Sequence, residues 1–166
     1  MLYACDLTWW QVYFPEVSRT FHGEKWTVGA AARDVFDLHW VYGLDRPGLS
    51  RDPTFVHTGR NSGYQAIGLA ALFGASRIIL LGFDMQRSGG KSHWHGDHPR
   101  SLGQGDHYSG WIAAMSQLAK DAAKAGIEII NCSRKTALKC FPQQGLEETL
   151  CQLPTTTPNL SCSESN

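Results

Sequence analysis

Three imidazoles and a carboxylate fall within six residues, His93-Trp94-His95-Gly96-Asp97-His98. Imidazole nitrogens with a carboxylate oxygen suit Zn²⁺ or a similar divalent ion, with Asp84 or His107 as further ligands. The other use of such a loop is hydrogen bonding, to backbone or to the phosphate and sugar groups of a ligand. Asp84 follows a strongly apolar run and offers either a metal ligand or an acceptor for sugar hydroxyls, if it does not simply cap the next turn. His107 stands just before a helical stretch, where a neutral imidazole can take the proton of a hydroxyl nucleophile. Arg60-Asn61-Ser62-Gly63 opens another helix. Free N–H groups and the helix dipole favour an anion there, and a preceding Arg suits phosphate or carboxylate. The plainer role of Asn61 and Ser62 is capping.

The elements that must position these residues follow from hydrophobic spacing. After Asn61, the Ala- and Leu-rich run to Phe73 predicts a helix, and Gly74 supplies its left-handed cap. Arg77 to Phe83 is a continuous β-branched and apolar run, predicting a strand buried on both faces. Trp111 to Lys124 is apolar at 111, 112, 115, 118, 119 and 122, a helical spacing that leaves Lys120, Asp121 and Lys124 wet. Gly126 and a second apolar strand, Ile127 to Asn131, repeat the pattern. Two successive helix-Gly-strand units predict an α/β fold with a mostly parallel, doubly wound, Rossmann-like sheet. Sites in such sheets lie beyond the carboxyl ends of strands, which points to the edge from Asp84 to His107.

Upstream, Leu2 to Cys5 reads as a short strand, and Asp6 or Thr8 can cap a short helix that Pro15 halts. Gly23 to Val28 and Leu38 to Tyr42 read as strands, Gly29 to Arg33 fits either class, and Gly43 to Pro53 reads as loop before a short Phe55–His57 segment. Near the end, Thr136 to Phe141 reads as a turn or strand and Leu146 to Leu150 as a short helix. Residues 1–153 form one domain on this reading, and the small, polar stretch 154–166 is a disordered tail.

Lys plus Arg equals Asp plus Glu at 15 each, so nothing in the charge balance favours nucleic acid or an anionic membrane. Charged residues make up only 18% of the chain, which allows part of the surface to be covered, for example in a homo-oligomer. No run reaches transmembrane length, and the default expectation is cytoplasmic. The five cysteines include no CxxC pair; Cys5 and Cys132 read as small buried hydrophobes.

Two resemblances follow from these residues. His93 to His98 is letter for letter the HxHxDH signature of metallo-β-lactamase-fold hydrolases, which implies metal-dependent hydrolysis. The surrounding pattern departs from that family: the motif does not follow a strand directly, and only His107 remains downstream as a further imidazole. Ser62-Gly63, Gly74, Ile78 to Asp84 and His107, with the following αβ unit to Asn131, resemble a Rossmann-like group. It contains the family 42 sialyltransferases, the motility accessory factor and hydroxymethylpterin pyrophosphokinase-like proteins. Leu2 to Asp6 and His93 to Pro99 resemble uncharacterised phage and prophage proteins of that group.

This second resemblance implies a nucleotide-dependent transferase, foremost a glycosyltransferase with a CMP- or UDP-type sugar donor as a small-molecule partner. Arg60, Asn61, Ser62 and Gly63 would bind the donor, and His107 would act as base with Asp84 at the strand edge. His93, His95, Asp97 and His98 would shape the acceptor side or hold Zn or Mg. It also implies two alternatives: phosphoryl transfer with Mg²⁺ on Asp84 and Asp97, or a phage protein that binds nucleotide or sugar without turnover in the host cytoplasm. The group begins with a strand and a Gly-Pro-Ser-type loop, and nothing of the kind precedes Leu2, so the expectation is a sheet incomplete at its N-terminal side.

Overall fold

The computed structural model describes residues 1–87, 89, 90, 99, 102 and 107–152. The His93 to His98 cluster and the 154–166 tail lie outside the described residues. The chain is α/β and every strand pairing is parallel. Strands β1 (Leu2–Tyr3), β2 (Lys25–Thr27) and β3 (His39–Trp40) form one ladder, joined by α1 (Leu7–Thr20) and α2 (Ala30–Phe36). Strand β4 (Tyr42–Leu44) pairs with β5 (Phe55–His57) in a second ladder. Only Val41 separates β3 from β4, and its N–H donates to Thr27 O at 3.1 Å, so one extended run serves β2 with its first half and β5 with its second. A third ladder pairs β6 (Arg77–Leu80) with β7 (Glu128–Asn131). Helix α3 (Ser62–Leu72) leads into β6, α4 (Tyr108–Lys124) into β7, and α5 (Leu146–Cys151) closes the described chain.

Both predicted helix-Gly-strand units are present, with Gly74 at φ +85 and Gly126 at φ +73. Parallel strands cannot be joined by a tight hairpin, so each crossover must climb back along the ladder. Residues 45–54 do this for β4 and β5 without a helix, and the run is pinned from three sides. Gly48 O accepts from Tyr64 Oη at 2.5 Å and from His57 Nδ1 at 3.0 Å, while Leu49 N–H donates to Asp121 Oδ2 at 3.2 Å. A carbonyl can only accept, so Nδ1 of His57 carries its proton.

Three buried clusters hold the ladders to the helices. Trp10, Ala4, Ala32 and Leu38 lie under α1 and α2. Val41, Val56 and Leu69 join α3 to β4 and β5, and a larger group including Tyr64, Ile67, Leu80, Met115, Leu118 and Ile129 joins α3 and α4 to β6 and β7.

Three expectations are corrected and one left open is decided. Pro15 does not halt α1, which runs on to Thr20. Trp10, Phe14 and Val17 sit at i, i+4 and i+7 in one cluster, and Pro15 is exposed, so the carbonyl it leaves unpaired can be hydrated. The Ala-rich 29–33 stretch is the start of α2. The apolar run from Arg77 stops being strand at Leu80, and Leu81 is 59% exposed, because β6 has a ladder partner on one side only among the described residues. Asp121 is not simply on the wet face; it anchors the 45–54 crossover.

Gly48→Ala should be far more damaging than Gly74→Ala. At Gly48 (φ +84) an added Cβ would land on Asp121 Oδ2, whereas at Gly74 it meets nothing within 4 Å. Urea denaturation should show a loss of about 2–3 kcal/mol for the former and about 1 kcal/mol for the latter, the ordinary cost of a left-handed residue.

Candidate functional site

The first turn of α3 is the centre of the carboxyl edge. Asn61 caps it, its side chain accepting from Tyr64 N at 3.1 Å. The N–H groups of Ser62 and Gly63 have no partner among the described residues. Just before them Gly59 and Arg60 are both left-handed, at φ +49 and +54. Gly59 has no alternative, since a Cβ would run into the Tyr64 ring. Arg60 does carry a side chain, so its backbone is strained by about 1–2 kcal/mol. Three contacts hold it there. Its guanidinium donates to Asp45 Oδ2 at 2.9 Å, its carbonyl accepts from Trp111 Nε1 at 3.1 Å, and Asn61 N–H closes the turn onto Thr58 O at 3.2 Å.

The Arg60–Asp45 pair is open to water, with side chains 80% and 63% exposed. Hydrogen bonding to Arg60 holds the Asp45 carboxyl below its ordinary range. Water and salt screen an exposed pair of this kind, so Arg60 can turn to an incoming anion at little cost.

Trp111 brings His107 to the same edge. His107 is the N-terminal flank of α4 without a side-chain cap bond, and its ring meets the Trp111 ring edge-on with centroids 6.2 Å apart. The segment after β6 approaches through Phe83, whose ring fills the space a Cβ on Gly63 would need. Asp84 next to it is half-buried, with its carbonyl accepting from Ala137 N at 2.8 Å, and Met85 follows in a left-handed conformation at φ +48. Comparison of the chain with protein-family models, curated proteins and solved structures finds no match.

The structure thus brings Arg60, Asn61, Ser62 and Gly63 together in one turn, joins His107 to it through Trp111, and places Asp84 directly after the Phe83 that packs on Gly63. Among the described residues no group of three or more His, Cys, Asp and Glu converges to hold a metal. The described helices include none long and apolar enough to cross a membrane.

Sequence reading missed four contributors. Trp111 looked like one more apolar residue of α4, although its place four residues after His107 puts the two on one helix face. Asp45 lay in an apparent loop. Cys5 and Asp6 form a chain with Ser62: Ser62 Oγ accepts from Cys5 N at 3.3 Å and donates to Cys5 Sγ at 3.0 Å, and Sγ donates to Asp6 Oδ2 at 3.3 Å. Cys5 is therefore a bonded, half-buried thiol and not a simple hydrophobe. Burial, helped by the Asp6 charge and opposed by the Ser62 hydrogen bond, lifts it from 9.0 to about 11.

A raised acid binds its proton more tightly in the folded chain. The stability Cys5 contributes is therefore complete below pH 9.0 and fades as pH climbs toward about 11. Mass-mapped alkylation should find Cys5 slow at neutral pH and quickening toward that value, and Asp6→Asn should bring the onset lower. An onset near the ordinary thiol range in the unaltered chain would contradict the arrangement.

Proposed function

We propose that the chain is a nucleotide-dependent transferase, in its leading form a glycosyltransferase acting on an activated nucleotide-sugar. One observation carries the reading: a strained, exposed Arg60 held beside two N–H groups at the start of α3 that have no partner among the described residues. That combination suits a diphosphate or phosphodiester, with the guanidinium and both N–H groups on its oxygens and the helix dipole adding to them. The finer architecture belongs to the same proposal, with the three parallel ladders as parts of one Rossmann-like doubly wound sheet.

In this mechanism His107 takes the proton of an acceptor hydroxyl as that oxygen attacks the sugar's anomeric carbon. The bond from that carbon to the phosphate oxygen breaks, and the leaving phosphate keeps the electron pair under Arg60, Ser62 N–H and Gly63 N–H. Asp84 accepts hydroxyl hydrogen bonds on the acceptor side, where His93, His95, Asp97 and His98 belong as further contacts or as ligands of a divalent metal.

A second reading, binding without turnover, is favoured by the His107 imidazole, which has no orienting hydrogen bond among the described residues. Calorimetry with CMP and UDP, and release of nucleotide from their sugar conjugates, separates the two. For a transferase, Arg60→Ala weakens nucleotide binding about tenfold, and His107→Ala leaves binding within about twofold but slows release at least about a hundredfold. Tight binding with no release establishes the second reading, and no binding of either nucleotide ends both.

A further inference from the structure

A separate cleft of about 790 Å³ opens beyond the end of β7, within the size range of small-molecule sites. Ser133, Arg134, Gln143, Gln144, Leu146 and Glu148 line it. Its walls are built and not loose. Ser133 Oγ accepts from Phe83 N at 2.7 Å, Gln143 Nε2 donates to Ser133 O at 2.9 Å and to Arg134 O at 3.3 Å, and Thr149 Oγ1 donates to Gly145 O at 2.8 Å.

These bonds determine what remains free to meet a ligand. Gln143 has spent its amide N–H and presents its carbonyl, an acceptor, while Gln144 presents its N–H₂, a donor, beside its own carbonyl. Arg134 and Glu148 line the same cleft, yet neither side chain bonds to any described residue. The cleft therefore mixes donors with acceptors, and the formal charges of Arg134 and Glu148 cancel. A phosphate or carboxylate would need donors alone and would meet Glu148. A hydroxyl both donates and accepts, and neighbouring hydroxyls on a ring present that alternation. Leu146, 38% exposed at the cleft wall, supplies an apolar surface for the C–H face of such a ring.

We infer that this cleft binds a neutral polyhydroxylated ring, that is, a sugar. Its position suits an acceptor: the turn 133–137 bonds to Phe83 N through Ser133 Oγ and to Asp84 O through Ala137 N. The role of acceptor subsite rests on the transferase reading, but the sugar site itself does not.

The test is saturation-transfer NMR on the full chain with glucose, galactose and N-acetylglucosamine in turn, and inorganic phosphate by calorimetry, all without nucleotide. At least one sugar should bind saturably. Arg134→Ala and Glu148→Gln should each weaken it about tenfold with an unchanged melting temperature, because both side chains are exposed and have no partner among the described residues. Arg60→Ala should leave sugar binding unaltered, which keeps this outcome separate from that of the nucleotide experiment. Absence of binding by all three sugars, phosphate binding in their place, or sugar binding indifferent to both cleft substitutions would overturn the proposal.

Discussion

Helix α3 has no exposed residue, and the rest of the structure is arranged to make that possible. A helix with a buried residue in nearly every turn and none exposed must pack against neighbours on more than one face. Leu69 faces the cluster over β4 and β5, while Tyr64 and Ile67 face the cluster shared with α4, β6 and β7. Its polar positions are equally committed. Gln65, 3% exposed, accepts from Tyr3 Oη at 2.5 Å and donates to Thr58 O at 2.8 Å, so the buried amide that would otherwise cost several kcal/mol is satisfied at both ends. These two bonds tie β1 and the end of β5 to α3.

The burial of α3 also explains where reactive groups collect. Among the described residues every strand pairing is parallel, so within each ladder the strand ends share an edge, and α3 starts just beyond the end of β5. Cys5 and Asp6 after β1, Asp45 after β4, Thr58 to Arg60 after β5 and Phe83 to Met85 after β6 all arrive near its first turn. The left-handed residues Arg60 and Met85 belong to two of these arrivals. Strain of this kind persists only where surrounding contacts over-determine it. At Arg60 those contacts come from β4, β5 and α4 at once.

The segment after β6 connects to the cleft beyond β7, through hydrogen bonds from the 133–137 turn to Phe83 and Asp84. An anion-seeking corner at Arg60 and a charge-balanced cleft at Arg134 and Glu148 differ in the one property that sorts their ligands, the ratio of donors to acceptors.

By itself, the sequence determined the local elements. The spacing of apolar residues specified α3 and α4, and Gly74 and Gly126 specified where they stop, because periodicity and left-handed caps depend on neighbours a few residues away. Asn61, Ser62 and His107 were legible as edge residues for the same reason, since each sits at a boundary between elements. Only the tertiary structure decided that Pro15 stays inside α1, that 45–54 is an anchored crossover, and that Asp121, Asp45, Trp111 and Cys5 have the partners they do. Those outcomes depend on residues 15 to 72 positions apart in the chain, or on a buried face that outweighs a local helix breaker. No local pattern records either, because the interactions exist only once the parallel ladders have brought their ends together.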